Sequence, residues 1–221
     1  MKTIRFLFLI ILFVSCEETN NSVSYYFDSN IGIDSNHGTS IESPFKTLKK
    51  LETIALSTSD RIFLSNGSNF KGNIKIIGLN DISISNYNSH IKEIPVIDSK
   101  GHIAGVYIED SSEISVSNLS ITANGGGVIE QYPNLKKNKR KVEEAIMRAG
   151  VLVNISSNNI YKNISINEVF IKNVFFEDEG FVRDPSEVRT SMGTQAYGFG
   201  IRFYNSSKAG FIDGISVTNC Y

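Results

Sequence analysis

The richest set of acid–base side chains in this 221-residue chain lies in the stretch FFEDEGFVRDPSEVRTSMGTQAYGFG, which begins at Phe175. Glu177, Asp178, Glu179, Asp184 and Glu187 are interleaved there with Arg183 and Arg189. Paired carboxylates can divide general-acid and general-base roles when their surroundings separate their pKa values, and an arginine beside them can neutralise an anionic substrate. Glu177, Asp178, Glu179, Arg183 and Asp184 are therefore the catalytic candidates. A surface loop of compensated charge is the structural alternative, and the residue types do not choose between the two. A second stretch carries Lys136, Lys137, Lys139, Arg140 and Lys141, followed by Val142 to Met147 in one or two expected helical turns. Lys136, Lys137, Lys139 and Arg140 are candidates for holding an acidic polymer, against the alternative of a solvated basic loop. No residue is assigned as a metal ligand.

The elements that would position these loops are short strands. Three segments align, starting at Gly105, Gly150 and Gly200. Each opens with an apolar-x-apolar triplet: Val106-Tyr107-Ile108, Val151-Leu152-Val153 and Ile201-Arg202-Phe203. A Ser-rich turn and a second triplet follow: Ile114-Ser115-Val116, Ile164-Ser165-Ile166 and Ile215-Ser216-Val217. Two copies continue into a third, Leu119-Ser120-Ile121 and Val169-Phe170-Ile171, and a weaker earlier copy runs through Ile74-Lys75-Ile76, Ile82-Ser83-Ile84 and Val96-Ile97. Strict alternation means that one face of each strand is buried and the other solvated. Strands of about three residues are too short for ordinary hairpins, but suit a solenoid in which each coil adds one short strand to each of several stacked sheets. Asn86, Asn118, Asn173 and Asn219 recur after the strands. They are expected at left-handed turns between sheets, in preference to a role in glycan contact. The two charged loops fall between copies, at 123–149 and 175–199, where solenoids collect insertions. A β-sandwich is the structural rival.

The N-terminus reads as an address. Lys2 and Arg5 precede an unbroken apolar run from Phe6 to Val14, too short to span a bilayer and typical of a cleaved signal. Phe13-Val14-Ser15-Cys16 resembles a bacterial lipobox of the looser Bacteroidetes kind, which implies lipidation of Cys16 and anchoring to the outer membrane. Glu17 and Glu18 then resemble a signal for the cell surface, with a periplasmic-facing lipoprotein as the alternative. The expected organisation is a signal at 1–15, a flexible tether at 16–24 and one domain at 25–221. Removing Lys2 and Arg5 leaves 20 basic against 23 acidic residues, a net charge of −3, which gives no reason to expect nucleic acid as a partner. The other cysteine is Cys220, expected as a small buried hydrophobe.

Residues 25–76 resemble the start of right-handed parallel β-helix proteins of the pectate lyase-like superfamily. The matches are Tyr25, Tyr26 and Phe27; Gly32, Asp34, Asn36, Gly38 and Thr39; Pro44, Phe45, Thr47 and Leu48; then Asp60, Ile62, Gly67, Phe70 and Gly72. The departure is Ser59, where the family usually has Gly, so the turn there is expected to be built differently. Ser43 and Pro44 read as the start of a short amphipathic capping helix, with Phe45, Leu48, Leu51 and Ala55 on its apolar face. Asp34-x-Asn36-x-Gly38 reads as a turn motif in preference to part of a calcium loop. The resemblance implies an all-β fold, a right-handed parallel β-helix with a short N-terminal capping helix, and a partner that is a polysaccharide, acidic in one reading. It implies a polysaccharide lyase, with Ca²⁺ as its cofactor, or a glycoside hydrolase. The alternatives are a non-catalytic glycan-binding or adhesive solenoid, or an inactive truncated fragment, since Tyr221 falls in the middle of a repeat.

Overall fold

A computed structural model describes residues 22–123, 147–174 and 197–221. The candidates Cys16, Lys136, Lys137, Lys139, Arg140, Glu177, Asp178, Glu179, Arg183 and Asp184 lie outside the described residues. The described chain is all-β. Its strands are β1 (Ser24–Phe27), β2 (Arg61–Ser65), β3 (Asn69–Lys71), β4 (Ile74–Ile77), β5 (Asn80–Tyr87), β6 (Val96–Asp98), β7 (Ala104–Glu109), β8 (Ser112–Ala123), β9 (Met147–Ile155), β10 (Ile160–Val174), β11 (Tyr197–Asn205) and β12 (Phe211–Thr218). They form two sheets. The first runs β1-β2-β5-β8-β10-β12, with β3 and β6 continuing beside the second half of β8; the other runs β4-β7-β9-β11.

Every strand pairing among the described residues is parallel. The antiparallel pairs of a sandwich are therefore absent there. The aligned triplets stack in register: Ile114 and Ile215 both pair with Ile164, and Val106 pairs with Val151, which pairs with Ile201. Their inward side chains make one core containing Ile74, Ile108, Val116, Leu119, Val153 and Ile166. A slip of one residue would turn each of those faces out to water, so the alternation fixes the register.

The corners are rows of left-handed residues. Asp81, Glu113, Asn163 and Gly214 stack with φ of +55°, +57°, +53° and +92°, and Ser59 joins them at +72°. The Ser59 turn thus has the backbone that glycine favours, contrary to the expected rebuilding. Its Oγ donates to Asp81 Oδ2 at 2.7 Å, offsetting part of the ~1 kcal/mol or more that a left-handed non-glycine residue costs. Asn118, Glu168 and Asn219 form a second row at +55°, +53° and +52°, and Asn173 is also left-handed at +54°. Asn86 is not among the left-handed residues; that conformation belongs to Asn88, while Asn86 Nδ2 donates to Asn66 Oδ1 at 2.8 Å as one step of an amide ladder.

The capping helix is not found. Pro44 to Thr47 are held extended: Phe45 N–H donates to Tyr26 C=O, Asp28 N–H donates to Phe45 C=O, and Phe27 forms a parallel bridge with Phe45. Asp34 Oδ1 accepts the N–H groups of Lys46 and Thr47, both at 2.9 Å, and Oδ2 accepts the Thr47 hydroxyl at 2.7 Å. Both oxygens of Asp34 thus serve as turn acceptors. Burial pushes this carboxyl up, but the bonds from Thr47 and Lys46 and the charge of Lys50 outweigh it and hold the pKa below the usual carboxylate range. Only a 3₁₀ segment, Leu48–Glu52, remains helical, and Ala55 is exposed. The end of the core is covered instead by Phe45 and Leu48, with Leu51, Ile54 and Leu56 packed against it. Ser22 and Val23, assigned to the tether, already bond to this layer, through Ser59 C=O and Asp60 Oδ1.

Candidate functional site

The two insertions are rooted together. The strand before the first ends at Ala123 and the strand before the second at Val174, and these residues pair. The strands that follow begin at Met147 and Tyr197, which also pair. Both insertions therefore leave and rejoin the stack at one corner, beside the N-terminal edge of β7-β9-β11. The sequence candidates all belong to loops rooted there or to the N-terminus, and the structure brings together the roots.

The outward side of the second sheet forms two rows across the layers. One contains Lys75, Tyr107, Leu152 and Arg202; the other contains Glu109, Asn154 and Tyr204. Tyr107, Glu109, Leu152 and Asn154 are buried. Tyr107 O–H donates to Glu109 Oε2 at 2.8 Å, and Asn154 Nδ2 donates to Glu109 Oε1 at 2.8 Å from the next layer. Ser206 O–H reaches Asn154 Oδ1 at 3.4 Å from the layer after that. Hydrogen bonds to both oxygens offset the cost of burying the Glu109 carboxylate. Burial first, then the bond and charge of Glu109, push the Tyr107 phenol well above its ordinary pKa. In the third layer the Arg202 guanidinium carbon lies 4.5 Å from the Phe199 ring centroid and 5.0 Å from that of Tyr204. Its planar group is thereby held between two rings.

The corner itself is closed by Arg148, fully buried, whose Nη1 donates to Ala123 C=O at 3.0 Å. Burial lowers this guanidinium's pKa and the charge of Asp98 works against the lowering. Gly105 and Gly150 are required beside it. A Cβ on Gly105 would stand 2.5 Å from Ile121 Cγ2, and one on Gly150 would stand 2.6 Å from Ile171 Cγ2.

Glu109, Asn154, Arg148 and Arg202 lie in strands outside the charged loops and are not among the residues expected from the sequence. Aligning the three glycines already puts Tyr107, Leu152 and Arg202 in one column and Glu109, Asn154 and Tyr204 in another. Period-two alternation turns both columns outward. Among the described residues no group of three acidic, His or Cys side chains could hold a metal ion, and no helix is long and apolar enough to cross a membrane.

No protein family matches the chain, and no curated protein does. Solved structures do. A GH136 lacto-N-biosidase from Eubacterium ramulus, as its selenomethionine derivative, superposes with a TM-score of 0.60 at 20% identity, over 90% of this chain and 34% of that one. The native form gives 0.54 at 18% identity, over 88% and 34%. The likeness is one of fold. The chain spans about a third of the length of that enzyme. A rhamnogalacturonan lyase superposes at a TM-score of only 0.35 with 16% identity, over 90% of this chain and 56% of that one, too low to bear on the fold.

Proposed function

We propose that this is a carbohydrate-active protein built as a right-handed parallel β-helix, and that it acts on an extracellular glycan across the outward face of its second sheet. The observation that carries the reading is the shared root of both insertions. The loops to which the candidate acids Glu177, Asp178, Glu179 and Asp184 and the candidate cations Arg183, Lys136, Lys137, Lys139 and Arg140 belong leave and rejoin the strands through paired residues at the edge of one polar and aromatic face. The fold likeness to a lacto-N-biosidase supports a glycoside hydrolase ahead of a lyase. A hydrolase uses two carboxylates flanking the bond, whereas a lyase takes a proton beside a uronate carboxylate, which Ca²⁺ or an arginine neutralises.

The buried Glu109 acts in this reading as a positioning residue. Held by Tyr107 and Asn154 and buried with them, it fixes the layer beside which the half-buried Arg202 and Tyr204 meet a sugar. Cys16 carries the lipid that holds the protein at the outer membrane, facing the outside, where a polymer too large to enter would be met. Metabolic labelling with a fatty acid tests this second part, with the label absent from Cys16→Ser and present on the parent.

The enzymatic part is tested by incubating the chain with a panel of polysaccharides and lacto-N-biose-terminated oligosaccharides. New reducing ends without ultraviolet absorbance from an unsaturated uronate are the expected product. Unsaturated uronate would make it a lyase, and binding without turnover a glycan-binding solenoid. Neither binding nor turnover across the panel contradicts the reading.

A further inference from the structure

A cleft lies at the same N-terminal edge of the second sheet, in the first layers of the stack, where residues 71–73 lead into β4 and residues 100–102 lead into β7. It has a volume of about 300 Å³ and is lined by Leu48, Lys49 and Glu52 of the 3₁₀ segment, by Lys71, Gly72 and Asn73, and by Lys100 and His102. That volume is at the lower bound of small-ligand pockets, which start at about 300 Å³.

Its charge is one-sided. Lys49, Lys71 and Lys100 face a single acidic lining residue, Glu52. None of these three ammonium groups forms an ion pair with a described residue; the ion pair found among them is Arg61–Asp81, elsewhere in the first sheet. The backbone beneath the charges is fixed. Lys71 pairs with Asp98 in the β3–β6 ladder, and Gly72 N–H donates to Asp98 C=O at 3.0 Å. Asp98 Oδ1 accepts Lys100 N–H at 3.1 Å, and His102 N–H donates to Ser99 C=O at 2.9 Å in a turn whose Gly101 has φ +89°. Lys71 at the end of β3 and Lys100 on the turn after β6 are thus brought to one mouth beside the buried Leu48. Like charges gathered around a concavity repel one another and raise the local concentration of anions.

We infer that this cleft binds the acidic group of a sugar, a carboxylate or a sulfate, and that it serves as an anion-reading subsite in the first layers, on the same edge as the roots of the insertions. The inference rests on the carbohydrate reading for its choice of ligand. A sugar ring lies beside Leu48 while its anionic substituent lies between Lys71 and Lys100, with Asn73 and His102 beside it. An acidic polymer anchored there would be held at the first layers of the stack.

The test is an NMR titration of the full chain with galacturonic acid, with N-acetylglucosamine 6-sulfate, and with neutral galactose. Both anionic sugars, or one of them, should shift the amides of Lys71 to Asn73 and Ser99 to His102, and galactose should not. The carboxylate and sulfate arms tell which anion is preferred. Lys71→Gln with Lys100→Gln removes two exposed charges that no described ion pair uses, so the fold persists and affinity falls about tenfold. Raised salt should weaken binding in the parent and matter less in the double variant. No shift at these amides, an equal response to galactose, or unchanged affinity in the double variant overturns the inference. Monosaccharide binding is read independently of the glycan panel, so an inactive protein that still binds galacturonic acid here would contradict the proposed activity alone.

Discussion

The two ends of the stack differ. At the first layers, the extended segment that pairs with β1 carries Phe45 over Phe27, the 3₁₀ segment adds Leu48, and all three are buried. At the last described layer, Phe203, Phe211, Ile215 and Val217 are 36–50% exposed, and the first three line an open recess together with Tyr204, Ile212 and Ile155. The same alternating triplets occupy both ends. What differs is whether another layer lies over them, since a strand triplet supplies only half of its own burial. In a stacked fold a residue's contribution therefore depends on its layer as well as on its type.

The largest test of that contrast is Phe45→Ala against Phe211→Ala. Phe45 is 4% exposed and packs on Phe27 with ring centroids 5.4 Å apart. Urea unfolding should show a loss of about 3–5 kcal/mol for Phe45→Ala, and about 1 kcal/mol or less for Phe211→Ala. Equal losses would remove the distinction between the ends.

Gly150→Ala against Gly200→Ala asks the same question at paired positions. The new methyl at Gly150 meets Ile171 Cγ2 at 2.6 Å and Gly200 C=O at 2.8 Å, whereas nothing lies within 4 Å at Gly200. Overpacking should cost about 1–3 kcal/mol in the first case. In the second the change should stay within about 0.5 kcal/mol. Hydrogen exchange sharpens the picture further: amides of β8 and the first half of β10 should exchange last, and those of β11 and β12 well before them.

The smallest effect is alkaline. Tyr87, in the closed part, has its phenol pushed up to about 12 by burial first and then by the charge of Asp28. Below pH ~10 the phenol is neutral in both folded and unfolded chains, so its contribution is fully present. As pH rises through about 12 that contribution is lost, because the unfolded chain releases the proton first. Stability measured from pH 9 to 12 should fall, and Tyr87→Phe should flatten the fall.

Much of the frame was legible in the sequence. Gly105, Gly150 and Gly200 marked the layers because a Cβ at the first two cannot fit, and the triplets set the register because only one phase buries Ile and Val. The expected helix failed for a reason visible only in three dimensions. Phe45, Leu48 and Leu51 keep helical spacing, but Asp34 and the edge of β1 claim the N–H groups of residues 45–47 first. Ser59 shows that a left-handed turn can survive without its glycine when a neighbouring carboxylate takes the hydroxyl. The face was harder to see. Glu109 and Asn154 are 45 residues apart and meet only because one layer stacks on the next.

The proposed glycan face is tested most directly by calorimetric binding of a neutral, N-acetylated oligosaccharide to the full chain and to two variants. Arg202→Ala removes the guanidinium held between Phe199 and Tyr204 on the proposed face. Lys162→Ala removes an exposed charge from the first sheet. The parent should bind, Arg202→Ala should bind about tenfold more weakly, and Lys162→Ala should match the parent. Absence of binding by the parent, or equal losses in both variants, would contradict a glycan-binding role for the outward face of the second sheet.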